Sequence, residues 1–334
     1  MKKRMLALLL LAALLCGCAQ QKQVYQVMYA DVFDTVTTLR GYDVSEAAFE
    51  KRAEEAHQAL LRYHQLFDIY EDHPGGLKRV NDSAGLAPVQ VEQPVIDLLL
   101  DCRKFYEATG GRVNAAMGSV LSLWHDAREA GLEDPEHAAL PDLDAMREAA
   151  NHISFDTVVI DQENQTVFLQ DAAQRLDVGA IAKGWSAQQV AAGLPEGYML
   201  NVGGNVCTRG KKPDGSSWNI AVQSPNPGED SLCVVQLTGQ SLVTSGDYQR
   251  SYTVDGKAYH HIIDPDTLMP STYWRSVTIL TEDSGAADAL STALFLLPLE
   301  QGQALARKFR VEVMWVDADM KITQTDGFTA ALRK

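Results

Sequence analysis

Apolar residues recur along this chain at the two spacings that distinguish helices from strands. From about residue 45 to 67 they follow the helical period, and Ser45 is a suitable N-cap for that segment. A second helical pattern follows Pro94 and stops at Gly110 and Gly111, which are typical of a helix end. The same period predicts further helices at 126–151, 286–296 and 299–309.

A two-residue alternation replaces the helical period in the second half of the chain. It predicts short strands at 157–160, 166–169, 198–202, 218–222, 233–237, 242–244, 251–254 and 275–281, with a closing pair after the last helix. One more strand is predicted near the start, at 29–38. Runs of strands with helices set apart from them favour an α+β fold with mostly antiparallel strands over a doubly wound parallel sheet.

Three cationic residues at positions 2–4 and an apolar run from 6 to 15 open the chain. The run is too short for a membrane-spanning helix, which needs about 20 residues, and it fits a secretory signal. Gly17 before Cys18 resembles a bacterial lipobox, in which the cysteine receives lipid and becomes the mature N-terminus. An ordinary cleaved signal is the alternative. We expect a lipoprotein signal peptide at 1–17, a tether at 18–27 after lipidated Cys18, and one domain at 28–334 on the extracytoplasmic face of the bacterial membrane.

The sequence has 29 Lys and Arg against 44 Asp and Glu, a net charge of −15. This excess of acid argues against nucleic acid and against anionic membrane surfaces as partners. Beyond the N-terminal segment the cysteines are Cys102, Cys207 and Cys233, which are too widely spaced for a CxxC metal or redox motif. We expect mostly buried thiols, although one disulfide is compatible with an oxidising compartment.

The stretch 177–184 combines a carboxylate at Asp177, a small corner at Gly179 and Ala180, and a cation at Lys183. A small corner lets the backbone approach a ligand closely, and a helix opening here would favour phosphate at its N-terminus. A plain turn between a strand and a helix, with a solvated lysine, explains the same residues. No Walker A motif is present.

Three further stretches carry candidate chemistry, each with a structural alternative. Consecutive glycines at 203 and 204 mark close backbone passage or a bulge. His260 and His261 fall in a predicted strand, so we expect at most one of them to enter a given site; such a histidine is a candidate general base or a structural residue. Asp288 and Thr292 share one helix face and form half of a site for a hard cation of the Mg²⁺ type, or they serve the helix itself.

Five short motifs occur in a defined order along the chain: Asp-x-Gly-Ala-Ile-Ala-Lys-Gly at 177–184, Asn-x-Gly-Gly-Asn at 201–205, Thr-Ser-Gly-Asp-Tyr at 244–248, His-His-Ile-Ile-Asp-Pro at 260–265 and Ala-Asp-Ala-x-x-Thr at 287–292. Together they resemble the FAD:protein FMN transferase family of ApbE-like proteins. The resemblance covers the chain from about Met28 to its end. Members of that family are often lipoproteins, which agrees with the N-terminal segment.

The resemblance implies an ApbE-like flavin transferase fold and a set of site residues. It implies that the Ala180 carbonyl, Asp288 and Thr292 hold Mg²⁺, with Ser291 as a further candidate. It implies flavin-nucleotide contacts from Met28, Tyr70, Arg112, Val113, Asn114, Asp177, Lys183, His261 and Ile262, with Asp264 ordering the turn. In the loop at 111–118 the family usually has Phe and Asp where this chain has Val113 and Asn114. Binding by backbone atoms would survive this change, whereas a role that needs a carboxylate at 114 would not.

The implied reaction transfers the FMN moiety of FAD to a threonine or serine hydroxyl of an extracytoplasmic acceptor protein, releasing AMP. The implied acceptors belong to membrane electron-transport systems, and Mg²⁺ is the implied cofactor. We assign catalytic roles to Asp288, through the metal, and to His261, as the base. The alternatives are an FAD pyrophosphatase, in which water replaces the acceptor hydroxyl, and an FAD-binding carrier lipoprotein that leaves FAD intact.

Overall fold

The computed structural model of the protein describes residues 21–333. The predicted signal peptide at 1–17 and the predicted lipidation site Cys18 lie outside these residues. Within the described part, no helix is both long enough and apolar enough to cross a membrane.

An eight-stranded sheet forms the centre of the fold. Its strands are β1 (Gln23–Val32), β2 (Thr35–Asp43), β6 (Tyr198–Val202), β7 (Asn205–Arg209), β10 (Ser241–Gly246), β13 (Ser276–Thr281), β14 (Glu312–Val316) and β15 (Ile322–Gln324). They lie side by side in that order. Every neighbouring pair runs antiparallel. The predicted α+β class with antiparallel strands is therefore confirmed.

The other strands form smaller sheets. They are β3 (Val89–Gln90), β4 (Val158–Asp161), β5 (Thr166–Leu169), β8 (Trp218–Val222), β9 (Cys233–Leu237), β11 (Tyr252–Val254) and β12 (Lys257–Tyr259). The helices are α1 (Glu46–Phe67), α2 (Leu77–Asp82), α3 (Gln93–Ala108), α4 (Gly118–Glu133), α5 (Leu143–Ala149), α6 (Ala182–Ala192), α7 (Ser284–Phe295), α8 (Leu299–Phe309) and α9 (Asp326–Ala331).

Most predicted elements lie within a few residues of the observed ones, and two predictions were wrong. The strand expected at 29–38 is a hairpin, because Phe33 and Asp34 adopt positive φ angles of 55° and 51° and reverse the chain. Its first strand begins at Gln23, inside the segment predicted as a tether at 18–27. The helix expected at 126–151 is two helices, α4 and α5, since Pro135 begins a short 3-10 turn between them.

The two faces of the main sheet are covered differently. Helices α1, α6 and α7 pack on one face and enclose the largest apolar core. On the other face, the hairpin of β8 and β9 and helix α9 cover the half that contains β10, β13 and β14. The half formed by β1 and β2 stays open there, and Val24, Met28 and Val36 are exposed. Cys102 and Cys207 are buried and Cys233 is half-buried, and all three are free thiols, so the possible disulfide does not form.

A buried polar contact ties the open half of the sheet to α1. The fully buried Tyr198 in β6 donates its hydroxyl to Asp43 Oδ2 at 2.6 Å, and Arg52 Nε in α1 donates to the same oxygen at 3.0 Å. The Tyr198 ring lies where a Cβ at Gly41 would be, 2.3 Å from the ring carbon Cε1, so only glycine fits there. Burial raises the pKa of Asp43, but the hydrogen bonds from Tyr198, Val44 and Arg52 outweigh it, so that the pKa lies below its ordinary value.

We predict that Tyr198→Phe lowers the free energy of unfolding at pH 7 by about 1–3 kcal/mol, because a buried carboxylate loses a donor. The pKa of Asp43 is depressed in the folded state, so its contribution is present above the unfolded-state pKa and is lost as the pH falls. The deficit should therefore shrink between pH 7 and pH 3 in urea titrations. Tyr25→Phe is the control, because that hydroxyl bonds Gln23 at the surface; equal losses in both variants would contradict the prediction.

Candidate functional site

A cavity of about 590 Å³ lies beside the main sheet, where several loops and strand ends meet. This volume is within the range of pockets that hold cofactors and drug-sized ligands. The loop at 111–117 and the segment at 175–180 run next to each other along it, since Asp177 N donates to the Ala115 carbonyl at 2.8 Å. The turns of the β1–β2 and β6–β7 hairpins form another side, joined by a hydrogen bond from Gly203 N to the Val36 carbonyl at 3.2 Å.

Asp288 is held against the first turn of α6. Gly184 N, in that turn, donates to Asp288 Oδ2 at 2.8 Å, while the N-cap residue Ile181 offers no capping side chain. A carboxylate from α7 therefore takes the role that a local Ser or Asp usually has, in the favourable field of the helix N-terminus. Burial raises the pKa of Asp288, against the opposing effects of Lys183, the Gly184 N–H and Arg250.

Three residues with an oxygen atom that could bind a metal border this cavity, and these oxygens have no protein partner. Within residues 21–333, no hydrogen bond reaches Asp288 Oδ1 or the Thr292 hydroxyl, and no backbone N–H donates to the Ala180 carbonyl. A carboxylate, a hydroxyl and a carbonyl oxygen are the ligand types that Mg²⁺ takes in proteins. A cation at the free oxygen of Asp288 would offset the cost of burying this carboxylate. The donor set therefore fits the predicted metal.

Ser291 and Met28 do not border the cavity. Ser291 is fully buried behind Ser245, with which it shares a hydrogen bond of 2.7 Å, and its hydroxyl donates to the Asp288 carbonyl at 2.8 Å. Met28 pairs with Thr38 in the β1–β2 hairpin and is 59% exposed on the open face of the sheet. The other residues predicted to contact the flavin nucleotide or the metal all border the cavity.

The cationic residues of the cavity fall into two groups. Arg112 and Arg128 are paired. Arg112 donates to Asp264 Oδ1 at 3.1 Å and to Asp266 Oδ2 at 2.5 Å, and Arg128 donates to Glu129 Oε1 at 2.9 Å. Lys183 and Arg250 make no salt bridge within the described chain. Two unpaired cations next to the oxygen donors suit a ligand with a pyrophosphate. Arg250 was not predicted, because it lies in a loop at a positive φ of 45° that no periodicity marks.

Both adjacent histidines border the cavity, so the expectation that only one could enter was wrong. They follow the end of β12, and the alternation of a strand no longer applies to them. His260 is held by two hydrogen bonds, from Nε2 to the Ser271 carbonyl at 2.7 Å and from Ile262 N to Nδ1 at 3.2 Å. His261 Nδ1 lies 3.2 Å from the Gln249 carbonyl. A carbonyl only accepts, so Nδ1 carries the proton and Nε2 is left as the acceptor.

His261 is neutral near physiological pH. Burial, together with the positive charges of Arg250 and Lys183, lowers its pKa to about 3. The side chain is nevertheless exposed on the side that faces the cavity. A neutral ring with a free Nε2 is in the protonation state that a general base requires.

Asn114 supports the loop rather than acting as a carboxylate. Its Nδ2 donates to the Ile153 carbonyl at 2.8 Å, and its Oδ1 accepts from Ala116 N at 2.9 Å. An aspartate has no N–H and could not make the first bond. Asparagine therefore suits these two hydrogen bonds, which aspartate could not both make. Asp264 orders its turn as expected, accepting from Asp266 N at 2.8 Å.

One wall of the cavity comes from α4, which sequence reasoning did not assign to the site. Trp124, His125 and Arg128 of that helix border the cavity. Trp124 Nε1 donates to the Leu268 carbonyl at 2.9 Å, and the His125 ring lies 4.9 Å from the ring of Tyr70. The signal that could have revealed this wall is the spacing of Met117, Leu121 and Trp124 on one helix face.

Comparisons with known proteins agree with this geometry. The ApbE family profile matches residues 32–315. An FAD:protein FMN transferase of Treponema pallidum (strain Nichols) is 32% identical over an alignment of 347 positions, which covers 97% of this chain and 94% of that protein. One from Klebsiella pneumoniae (strain 342) is 32% identical over 265 residues, 78% of this chain and 79% of that protein. The crystal structure of the ApbE protein from Thermotoga maritima has a TM-score of 0.82 and 28% identity, covering 93% of this chain and 100% of that one.

We predict that His261 in the free protein stays neutral from pH 8 down to pH 5, so that its ring signals in NMR titrations do not move over that range. Arg250→Gln should raise the pKa of His261, because a nearby positive charge is removed. Arg147→Gln, which removes an exposed cation outside the cavity, is the control. A His261 that titrates near its ordinary value of about 6.5 would contradict this picture.

Proposed function

The chain belongs to the ApbE family, and from this premise we propose that it is a transferase that moves the FMN moiety of FAD to a threonine or serine hydroxyl of an acceptor protein, with release of AMP. The observation that carries the proposal is the convergence in one cavity of a buried carboxylate with a free oxygen, two unpaired cations and a neutral histidine. These are the groups that transfer of a nucleotide phosphate requires.

The chain's own residues serve this reaction by position and charge. Asp288, Thr292 and the Ala180 carbonyl would hold Mg²⁺, which when bound offsets negative charge on the pyrophosphate. Lys183 and Arg250 attract the phosphate oxygens and hold FAD in the cavity. The acceptor hydroxyl forms a new bond to the phosphorus of the FMN half, and the bond from that phosphorus to the bridging oxygen breaks, so that AMP leaves with that oxygen.

The hydroxyl proton needs an acceptor during this step. His261 Nε2 is free, borders the cavity and belongs to a ring that is neutral at physiological pH. We assign it the role of the base. If water occupied the place of the hydroxyl, the same groups would hydrolyse FAD, so the two reactions differ only in the nucleophile that reaches the cavity.

We also propose that lipid on Cys18 holds the enzyme at the extracytoplasmic face of the membrane, near acceptors of membrane electron-transport systems. The cationic start, the short apolar run and the glycine before Cys18 support this proposal. The first strand begins only five positions after Cys18, at Gln23.

We predict that Asp288→Asn lowers Mg²⁺-dependent AMP release and FMN transfer by about two orders of magnitude or more, because an amide cannot replace the charge of the carboxylate at a cation. The assay incubates the protein with FAD, Mg²⁺ and a purified acceptor domain, and follows AMP together with flavin fluorescence on the acceptor in a denaturing gel. Asp326→Asn removes an exposed carboxylate in α9 and is the control.

The same assay decides between the alternatives. Wild-type protein that releases AMP and free FMN without labelling the acceptor is a pyrophosphatase, and protein that leaves FAD intact is a carrier. Unchanged transfer by the Asp288→Asn variant would refute the assignment of Asp288 to the metal.

We predict that Cys18→Ala moves the protein from the membrane fraction to the soluble fraction and abolishes its labelling by a palmitate analogue. The physical reason is that two or more acyl chains are needed for stable anchoring and the variant has no thiol to carry them at this position. Cys16→Ala is a matched control that should stay lipidated. Membrane retention and full labelling of the Cys18→Ala variant would overturn the anchor assignment.

A further inference from the structure

A second cavity of about 460 Å³ lies between strands β2, β6 and β7 of the main sheet and strand β8. We call it the β8 groove. Its floor includes Met199 and Asn201, which alternate along β6 and therefore present one face of the sheet. Its wall is formed by the consecutive residues Asn219, Ile220 and Ala221 of β8. Because consecutive side chains of a strand point to opposite faces, contact with all three means that β8 turns its backbone edge toward the groove.

The backbone edge of β8 is unpaired. Strand β8 forms a two-stranded sheet with β9 alone, and within residues 21–333 its backbone bonds only to that arm of the hairpin. A free edge next to a groove presents N–H and C=O groups that an extended chain can join as an added strand.

The β8 groove leads to the large cavity. Strand β6 ends at Val202, and the next residues, Gly203 and Gly204, border that cavity; strand β8 ends at Val222, and the next residue, Gln223, borders it too. Asn201 in the groove accepts a hydrogen bond from Gly204 N at 2.8 Å, which links the two sites. From Trp218 to Gln223 a strand rises about 17 Å, so a segment of five to six residues spans the groove and reaches the cavity.

The groove is locally positive in an acidic protein. Arg40 and Lys212 border it, and neither makes a salt bridge within the described chain, whose full sequence has a net charge of −15. Lys212 Nζ lies 5.6 Å from the centre of the Trp218 ring, over the end of the groove away from the cavity. Asp214 lies in the same loop as Lys212, and its Oδ1 accepts hydrogen bonds from the backbone N–H and the hydroxyl of Ser216. Unpaired cations in such a place favour an acidic partner.

We propose that the β8 groove binds an extended acidic segment of the acceptor protein as an added strand on β8, so that the hydroxyl residue at the end of the segment enters the large cavity. The inference rests on the proposed function, because it names where the acceptor of that reaction binds. Main-chain bonds to β8 supply affinity, and the charges of Arg40 and Lys212 select acidic side chains four to six residues from the hydroxyl.

The test uses synthetic 12-residue peptides with a single threonine. One peptide carries two aspartates four and six residues before the threonine, a second carries them after it, and a matching pair carries lysines instead. Hydrogen exchange of residues 218–222 and peptide affinity are measured on the whole protein, together with AMP release from FAD and FMN attached to peptide. We expect an acidic peptide, and neither basic one, to slow exchange in 218–222.

The double variant Arg40→Glu with Lys212→Glu should bind the acidic peptide roughly tenfold or more weakly and lose the preference for it, with FAD binding unchanged. The control, Lys51→Glu with Lys104→Glu, changes the net charge equally at exposed positions on α1 and α3 and should bind as the wild type does. No binding of either acidic peptide, no slowed exchange in 218–222, or equal loss in the control overturns the inference. Failure of the proposed function is seen separately, as FAD that the wild type neither cleaves nor transfers.

Discussion

The close approach of α6 and α7 at Gly184 is the contact on which the site depends. A Cβ at that position would lie 2.3 Å from the Ser284 carbonyl oxygen and 2.4 Å from Asp288 Cβ, so any side chain would push the helices apart. At the observed separation Gly184 N reaches Asp288 Oδ2. One oxygen of the carboxylate thus holds the start of a helix, and the other is left for a ligand in the cavity. The same glycine serves packing and chemistry.

This arrangement places the negative charge of Asp288 in a buried position, where loss of water contact disfavours the ionised form. Burial raises the pKa of Asp288, and Lys183, one residue before Gly184, is among the groups that counteract the rise. The helix N-terminus, the lysine and a bound cation all favour the ionised form. The cost of keeping a carboxylate in the core is therefore offset by groups that, in the proposed reaction, also attract the phosphates of FAD. Fold stability and the proposed ligand binding thus depend on the same place, the start of α6.

The predictions that succeeded from sequence rest on local rules. The i and i+4 spacing of Asp288 and Thr292 placed both on one side of a helix, and the structure brings both to the cavity. The failures come from places where tertiary contacts override the local pattern. Phe33 and Asp34 look like part of a strand but turn the chain, and Arg250 reaches the cavity from a loop at positive φ. His260 and His261 lie just past a strand end, which alternation within a strand does not describe. Met28 was placed by resemblance alone, and the structure puts it on the open sheet face.

The position of β1 connects the proposed anchor to the direction from which an acceptor arrives. Gln23 lies five positions after Cys18, and five extended residues span at most about 18 Å. Strand β1 is the outer strand of the main sheet, and the face of β1 and β2 that no helix covers is the one that continues into the floor of the β8 groove through Arg40. An enzyme held by so short a link would keep this face close to the membrane surface. Acceptors in the same membrane could then reach the groove without a large reorientation of the enzyme. The link would not help the enzyme to meet an acceptor that diffuses freely in solution. The uncovered face of β1 and β2, where Val24, Met28 and Val36 bury no core, is explained if its task is to receive a second chain.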